Sequence, residues 1–170
     1  MTSFASLKHS LVAGIALHFV IAAAPVGAKP SNGQKFNAWT ARCEVNKETK
    51  QSACFLFQNL LLKKEQRPLL HVAVGYLNGT EQPVAIFTVP LGVSLPGGLN
   101  VTIDEGKALR VRFERCDETG CLAPLSLSAA VIASLKGGRW ARVAFFDPNR
   151  REVSVPVSLL GFTAGLKSLD

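Results

Sequence analysis

His71 is the one histidine beyond residue 28, so a Ser-His-Asp machine would have to run through it. It stands between Leu70 and Val72 in an apolar run that reads as a strand, which suits a structural histidine better than a catalytic one. No Gly-x-Ser-x-Gly elbow occurs, and Gly92-Val-Ser94-Leu-Pro96 lacks the final glycine. Two acid pairs, Asp104/Glu105 and Asp117/Glu118, could in principle do glycosidase chemistry. That chemistry needs a set separation across a cleft, and both pairs fall in turns. Calcium loops need more oxygen ligands at regular spacing. Neither of the glycine-rich phosphate-binding patterns is present. The sequence therefore predicts no enzyme, no cofactor and no metal site.

The cysteines point elsewhere. Cys43, Cys54, Cys116 and Cys121 are spaced Cys-x10-Cys and Cys-x4-Cys, which fits zinc poorly and is not the Cys-x2-Cys of redox motifs. An even set in an exported chain is by default a disulfide set. Three connectivities exist. Cys43–Cys54 and Cys116–Cys121 are preferred, because each pair flanks a short polar turn.

Export is expected from the N-terminus. Lys8 and His9 close a basic region, Leu11 to Ala24 is apolar, and Val26-Gly27-Ala28 offers small residues for cleavage after Ala28. The apolar run is too short to span a bilayer comfortably. The expected organisation is a signal peptide over 1–28 and a single domain over 29–170. No cysteine adjoins the cut, which argues against a lipid anchor. The 170-residue chain is 48% hydrophobic and 18% charged, a balance that supports a packed core and argues against disorder.

The net charge is +7. Lys63, Lys64 and Arg67 cluster in one turn, Arg110 and Arg112 share a strand face, and Arg150 and Arg151 follow the Trp140 strand. These seven residues are the candidate binding surface. An excess of this kind often serves only solubility; as a binding surface it would meet an anionic surface or an envelope or host protein. Aromatic residues are not interleaved with the cations, so a nucleic-acid platform is not expected.

Short alternating strands must position all of this. They are read at 37–43, 53–61, 69–77, 99–104, 109–114, 139–146 and 153–159, with a continuous apolar run at 84–89 that suits a central strand. Pro156 places its strand at an edge or a bulge. Leu127, Val131 and Leu135 recur at helical spacing behind Ser126 or Ser128, with Lys136 and Gly137 as the stop. Leu159, Phe162, Leu166 and Leu169 suggest a second helix behind Ser158. The fold class expected is mainly β, an immunoglobulin-like β-sandwich with one or two short helices.

Several segments together resemble the invasion-associated locus B family of exported bacterial proteins. They are Trp39-Thr-Ala-Arg-Cys43 with Cys54 and Gln58; Pro90-Leu-Gly-Val93 with Leu95; Leu99 to Asp104; Phe113-Glu-Arg-Cys116 through Gly120-Cys121-Leu-Ala123; and Val157-Ser-Leu-Leu-Gly161-Phe162-Thr-Ala164. Leu160 stands where the family often has a polar or basic residue. The resemblance implies an exported β-sandwich with local disulfides, a link to host-cell invasion and virulence, and no catalytic residues to carry over. The functional expectation is a non-enzymatic binding or structural protein of the cell envelope. It would be periplasmic, with outer-membrane association or secretion left open. A surface adhesin and an unrecognised hydrolase are the rivals.

Overall fold

The computed structural model describes residues 29–45, 52–62, 66–77 and 80–169. The expected signal peptide, Lys63 and Lys64 lie outside them. In chain order the elements are β1 (Lys35–Phe36), β2 (Trp39–Val45), β3 (Ser52–Leu61), β4 (Pro68–Tyr76), β5 (Pro83–Val89), β6 (Leu99–Ile103), β7 (Leu109–Val111), β8 (Arg115–Asp117), β9 (Gly120–Ser126), α1 (Ala129–Gly137), β10 (Trp140–Phe146), β11 (Glu152–Ser158) and α2 (Phe162–Lys167).

The strands form two antiparallel sheets. The larger has the order β1-β2-β3-β4-β5-β9-β8 and the smaller β11-β10-β6-β7. Alternation along each strand buries one face. Leu56, Val72, Val74 and Phe87 from the large sheet meet Val101, Val143, Phe145 and Val157 from the small one. This is the sandwich expected. Five strands of the large sheet follow one another as a meander, so the likeness to immunoglobulin domains lies in the two-layer packing and not in strand order. The 84–89 run is central, as β5, and Pro156 is on the edge strand β11.

Two expectations need correction, and one stretch goes beyond what the sequence pattern reads. The polar turn flanked by Cys116 and Cys121 is present, and it closes the hairpin β8–β9, whose strands were not among those expected. Pro124 argues against a strand there in sequence, because it cannot donate to a ladder. The structure accommodates it: β8 reaches only to Leu122, so Pro124 lies on an open stretch of edge. The strand expected over 109–114 ends at Val111, since Leu99–Val111 is the last pair of β6–β7. Residues 112–114 then cross to the large sheet, where the Glu114 N–H donates to the Leu122 carbonyl at 2.8 Å. The last helix does not follow Ser158 directly. Strand pairing continues through Leu159, whose N–H donates to the Arg139 carbonyl at 2.9 Å, and α2 starts only after Gly161.

Helix α1 takes Ser128, not Ser126, as its N-cap; the Ser128 hydroxyl accepts from the Val131 N–H at 3.4 Å. It runs through Gly137, and Gly138 closes it by donating to the Ser134 carbonyl at 2.8 Å.

Both preferred disulfides are present, each joining residues directly opposite on neighbouring antiparallel strands: Cys43–Cys54 across β2–β3 and Cys116–Cys121 across β8–β9. Chain-entropy arithmetic for sequence separations of 11 and 5 gives roughly 3 and 2 kcal/mol respectively. Cys43→Ser/Cys54→Ser should therefore lower the urea midpoint more than Cys116→Ser/Cys121→Ser. The reverse order would mean that local strain or denatured-state structure outweighs loop length.

Candidate functional site

The outer faces of the two sheets differ in chemistry. In β10 the residues Ala141, Val143 and Phe145 are buried, which turns Trp140 and Arg142 outward. Register places Thr102, Arg142 and Pro156 side by side across β6, β10 and β11. The next row is Asp104, Trp140 and Ser158: the Asp104 N–H donates to the Trp140 carbonyl at 2.9 Å, and Trp140 pairs with Ser158. Thr102, Arg142, Pro156, Asp104 and Trp140 of these rows, with Glu105 and Arg139, bound an open groove of about 560 Å³.

Asp104 is held rigidly in this groove. It adopts φ 45°, a left-handed conformation that aspartate tolerates in turns. Its carboxylate accepts from the Arg139 N–H at 3.2 Å and from the Trp140 N–H at 3.0 Å. Trp140 is 51% exposed, unusual for the largest apolar side chain. Among the described residues, no hydrogen bond or ion pair engages the side chains of Glu105, Arg139 or Arg142.

The described members of the basic set singled out by sequence fall on different elements. Arg110 is on β7, on the same outer face, and its guanidinium donates to the Pro96 carbonyl at 3.1 Å. Arg112 is exposed just beyond β7. Arg150 and Arg151 sit in the β10–β11 turn, where Arg151 pairs with Asp147 at 2.7 Å. That turn is closed by the Asp147 carboxylate, which accepts from the Asn149 and Arg151 N–H groups; these bonds, with Arg151 foremost, hold its carboxyl below the usual carboxylate range. Arg67 belongs to the β3–β4 connection of the other sheet. Sequence reasoning missed Trp140 and Arg142 as a pair, although the alternation of residues 140–146 already places them on one face.

The outer face of the large sheet is apolar by contrast. Phe55, Phe57, Ala73, Ile86, Leu122 and Pro124 are half-buried along it. A shallow groove of about 310 Å³ crosses Gly75, where a Cβ would come within 2.8 Å of the Phe55 Cβ. His71 lies on this face. Its Nδ1 is 2.6 Å from Asn59 Oδ1, and its ring is 5.8 Å from that of Phe57. Burial, and secondarily Arg42, push its pKa down. Asp117 is engaged within its own turn, accepting from the Thr119 hydroxyl at 2.6 Å and N–H at 2.8 Å. The Thr119 hydroxyl bond is foremost in drawing its carboxyl below the ordinary range.

A third assembly ties the chain ends together. The Gln58 side-chain amide donates to the Ser158 carbonyl at 2.7 Å, linking the sheets. Trp39 packs on Phe162 with ring centroids 5.4 Å apart. The Ala38 N–H donates to the Leu160 carbonyl at 3.2 Å, while the Leu160 side chain is 65% exposed, a position open to a polar residue.

These features define a disulfide-stapled two-sheet sandwich whose ends are clasped by the segments that carried the family resemblance. The chain belongs to the invasion-associated locus B family: the family model for the Invasion associated locus B (IalB) protein matches residues 39–170. Two invasion protein B homologs, from Brucella abortus (strain 2308) and Brucella abortus biovar 1 (strain 9-941), are each 28% identical over 156 residues. Each alignment covers 88% of this chain and 85% of the relative. The crystal structure of invasion associated protein b from Bartonella henselae superposes with a TM-score of 0.71 at 22% identity, covering 82% of this chain and 95% of that one. That likeness establishes the fold.

Proposed function

We propose that this chain is an exported, non-catalytic binding protein of the bacterial cell envelope that contributes to contact with host cells. Family membership carries the reading, since the relatives it matches are called invasion proteins. Two features support it independently. The four cysteines all pair, which suits an oxidising compartment outside the cytosol. Three of the titratable groups that might have done chemistry are held by structural partners: His71 by Asn59, Asp104 by the Arg139 and Trp140 N–H groups, and Asp117 by Thr119. Among the described residues, no helix is long and apolar enough to cross a membrane.

The outer face of the small sheet, with the exposed Trp140 among charges of both signs, favours a second reading within this one, an adhesin displayed outside the cell. Location separates them. Intact and permeabilised cells would be labelled with antibody to residues 29–170, and the medium assayed. Label on intact cells or in the medium supports the adhesin. Label only after permeabilisation supports a periplasmic partner. Recovery solely in the cytosol, with four free thiols, would sink both. Substrate turnover abolished by His71→Asn or by changing Asp117 and Glu118 would overturn the non-catalytic assignment.

A further inference from the structure

We infer that the groove around Trp140 binds an uncharged saccharide, with a pyranose ring resting on the indole and its hydroxyls shared between guanidinium and carboxylate groups. This deepens the reading of the chain as a binding protein and rests on it.

Three observations carry the inference. The first is the platform. Trp140 is half in solvent at the end of a strand whose neighbours on both sides fix its backbone. An exposed indole offers a flat apolar surface with a donor at its rim. The C–H face of a pyranose ring matches that surface, and contact removes apolar area from water on both partners.

The second is the balance of polar groups. The groove holds two cations, Arg139 and Arg142, and two anions, Asp104 and Glu105. Their formal charges cancel, so the groove does not select a ligand of either sign. What it offers is donors and acceptors in equal measure, with the Thr102 hydroxyl able to act as either. A polyhydroxyl ligand uses both kinds at once, because each hydroxyl can donate to a carboxylate while accepting from a guanidinium. Hydrogen bonds with one ionised partner are the stronger ones, which offsets the desolvation of these side chains. A purely anionic ligand would leave the two carboxylates repelled, and an apolar one would strand all four charges.

The third is rigidity. The floor is sheet, with Thr102, Arg142 and Pro156 in register across three strands. Asp104 is anchored by the N–H groups of Arg139 and Trp140. Its acceptor atoms are therefore in place before a ligand arrives, which lowers the ordering cost of binding. The volume of about 560 Å³ is ample for a small ligand.

The test uses the exported protein, purified with its disulfides intact, and measures tryptophan emission. Trp39 is 1% exposed in the core and serves as the silent background, so a change reports Trp140. The probes are maltohexaose, mannohexaose, fully N-acetylated chitohexaose and, as the charged counterpart, hexagalacturonate. At least one neutral probe should shift the emission, with an affinity unchanged by added salt. Trp140→Ala and Arg142→Ala should each weaken it about tenfold or more, Trp140→Phe should retain most of it, and Lys167→Ala should leave it unchanged. Silence with all three neutral probes would overturn the inference. So would tighter, salt-sensitive binding of hexagalacturonate, full binding by folded Trp140→Ala, or self-association that covers Trp140. None of these outcomes depends on where the cell places the protein. The saccharide assignment can therefore fail while the envelope reading stands, and the reverse also holds.

Discussion

Gly161→Ala should destabilise the protein by roughly 3 kcal/mol, and Gly161→Val by more. Gly161 has φ 88°, a conformation that costs any residue with a Cβ. Space is closed as well: a Cβ built there would overlap the carbonyl oxygen of Phe36. Because the Phe36 backbone is part of β1, relief would mean pulling the N-terminal strand away from the α2 entry. The Ala38–Leu160 hydrogen bond and the Trp39–Phe162 contact lie on either side and would be disturbed together. Gly137→Ala is the matched control. Gly137 is in α1, its φ is not positive, and a Cβ there would meet nothing within 4 Å. That change should be neutral or stabilising by up to about 1 kcal/mol. Urea unfolding of the two variants beside the parent reads the difference directly. Superimposable curves for Gly161→Ala and the parent would show that the clasp contributes nothing to stability.

The same segment shows what could be read from sequence. Leu159, Phe162 and Leu166 are all buried, as their spacing suggests, but only the last two are helical. A period of three or four fits a strand end followed by a tight turn as well as it fits a helix. The distinction was made by a partner strand, β10, which sequence cannot place. The strands with strict alternation were legible because alternation is the direct imprint of a two-layer sandwich. The hairpin at Cys116 was not, because its Pro124 breaks the pattern and its partner is only three residues long. The candidate site was the least legible part. Thr102, Arg142 and Pro156 are far apart in sequence and meet only through strand register. Of the basic residues that stand out in the sequence, the described ones are divided among a loop of the large sheet (Arg67), β7 and the residue just beyond it (Arg110 and Arg112) and the β10–β11 turn (Arg150 and Arg151).

Trp39 should be the most expensive single side chain to remove. It begins β2 on the inner face, is 1% exposed, and carries the aromatic contact that docks α2. Truncating a buried tryptophan to alanine costs about 3–5 kcal/mol, a large part of the 5–15 kcal/mol that holds a typical domain together. The core has little means to absorb the loss. A cavity of about 20 Å³ already lies beside Trp39, bounded by Phe87, Leu127, Val157 and Phe162 among other apolar side chains. Trp39→Phe should behave differently. The indole Nε1 is buried and meets no protein acceptor among the described residues, which is itself destabilising by about 1–3 kcal/mol. Phenylalanine keeps a ring against Phe162 and removes that donor, so its net cost should be less than half that of alanine. Combining Trp39→Ala with Phe162→Ala should cost less than the sum of the singles, by about 0.5–1.5 kcal/mol, if the two rings support one another. Additive losses would mean that they stabilise the protein separately. Equal losses for Trp39→Phe and Trp39→Ala would mean that the indole N–H has a partner, and that the contact with Phe162 is not what makes Trp39 valuable.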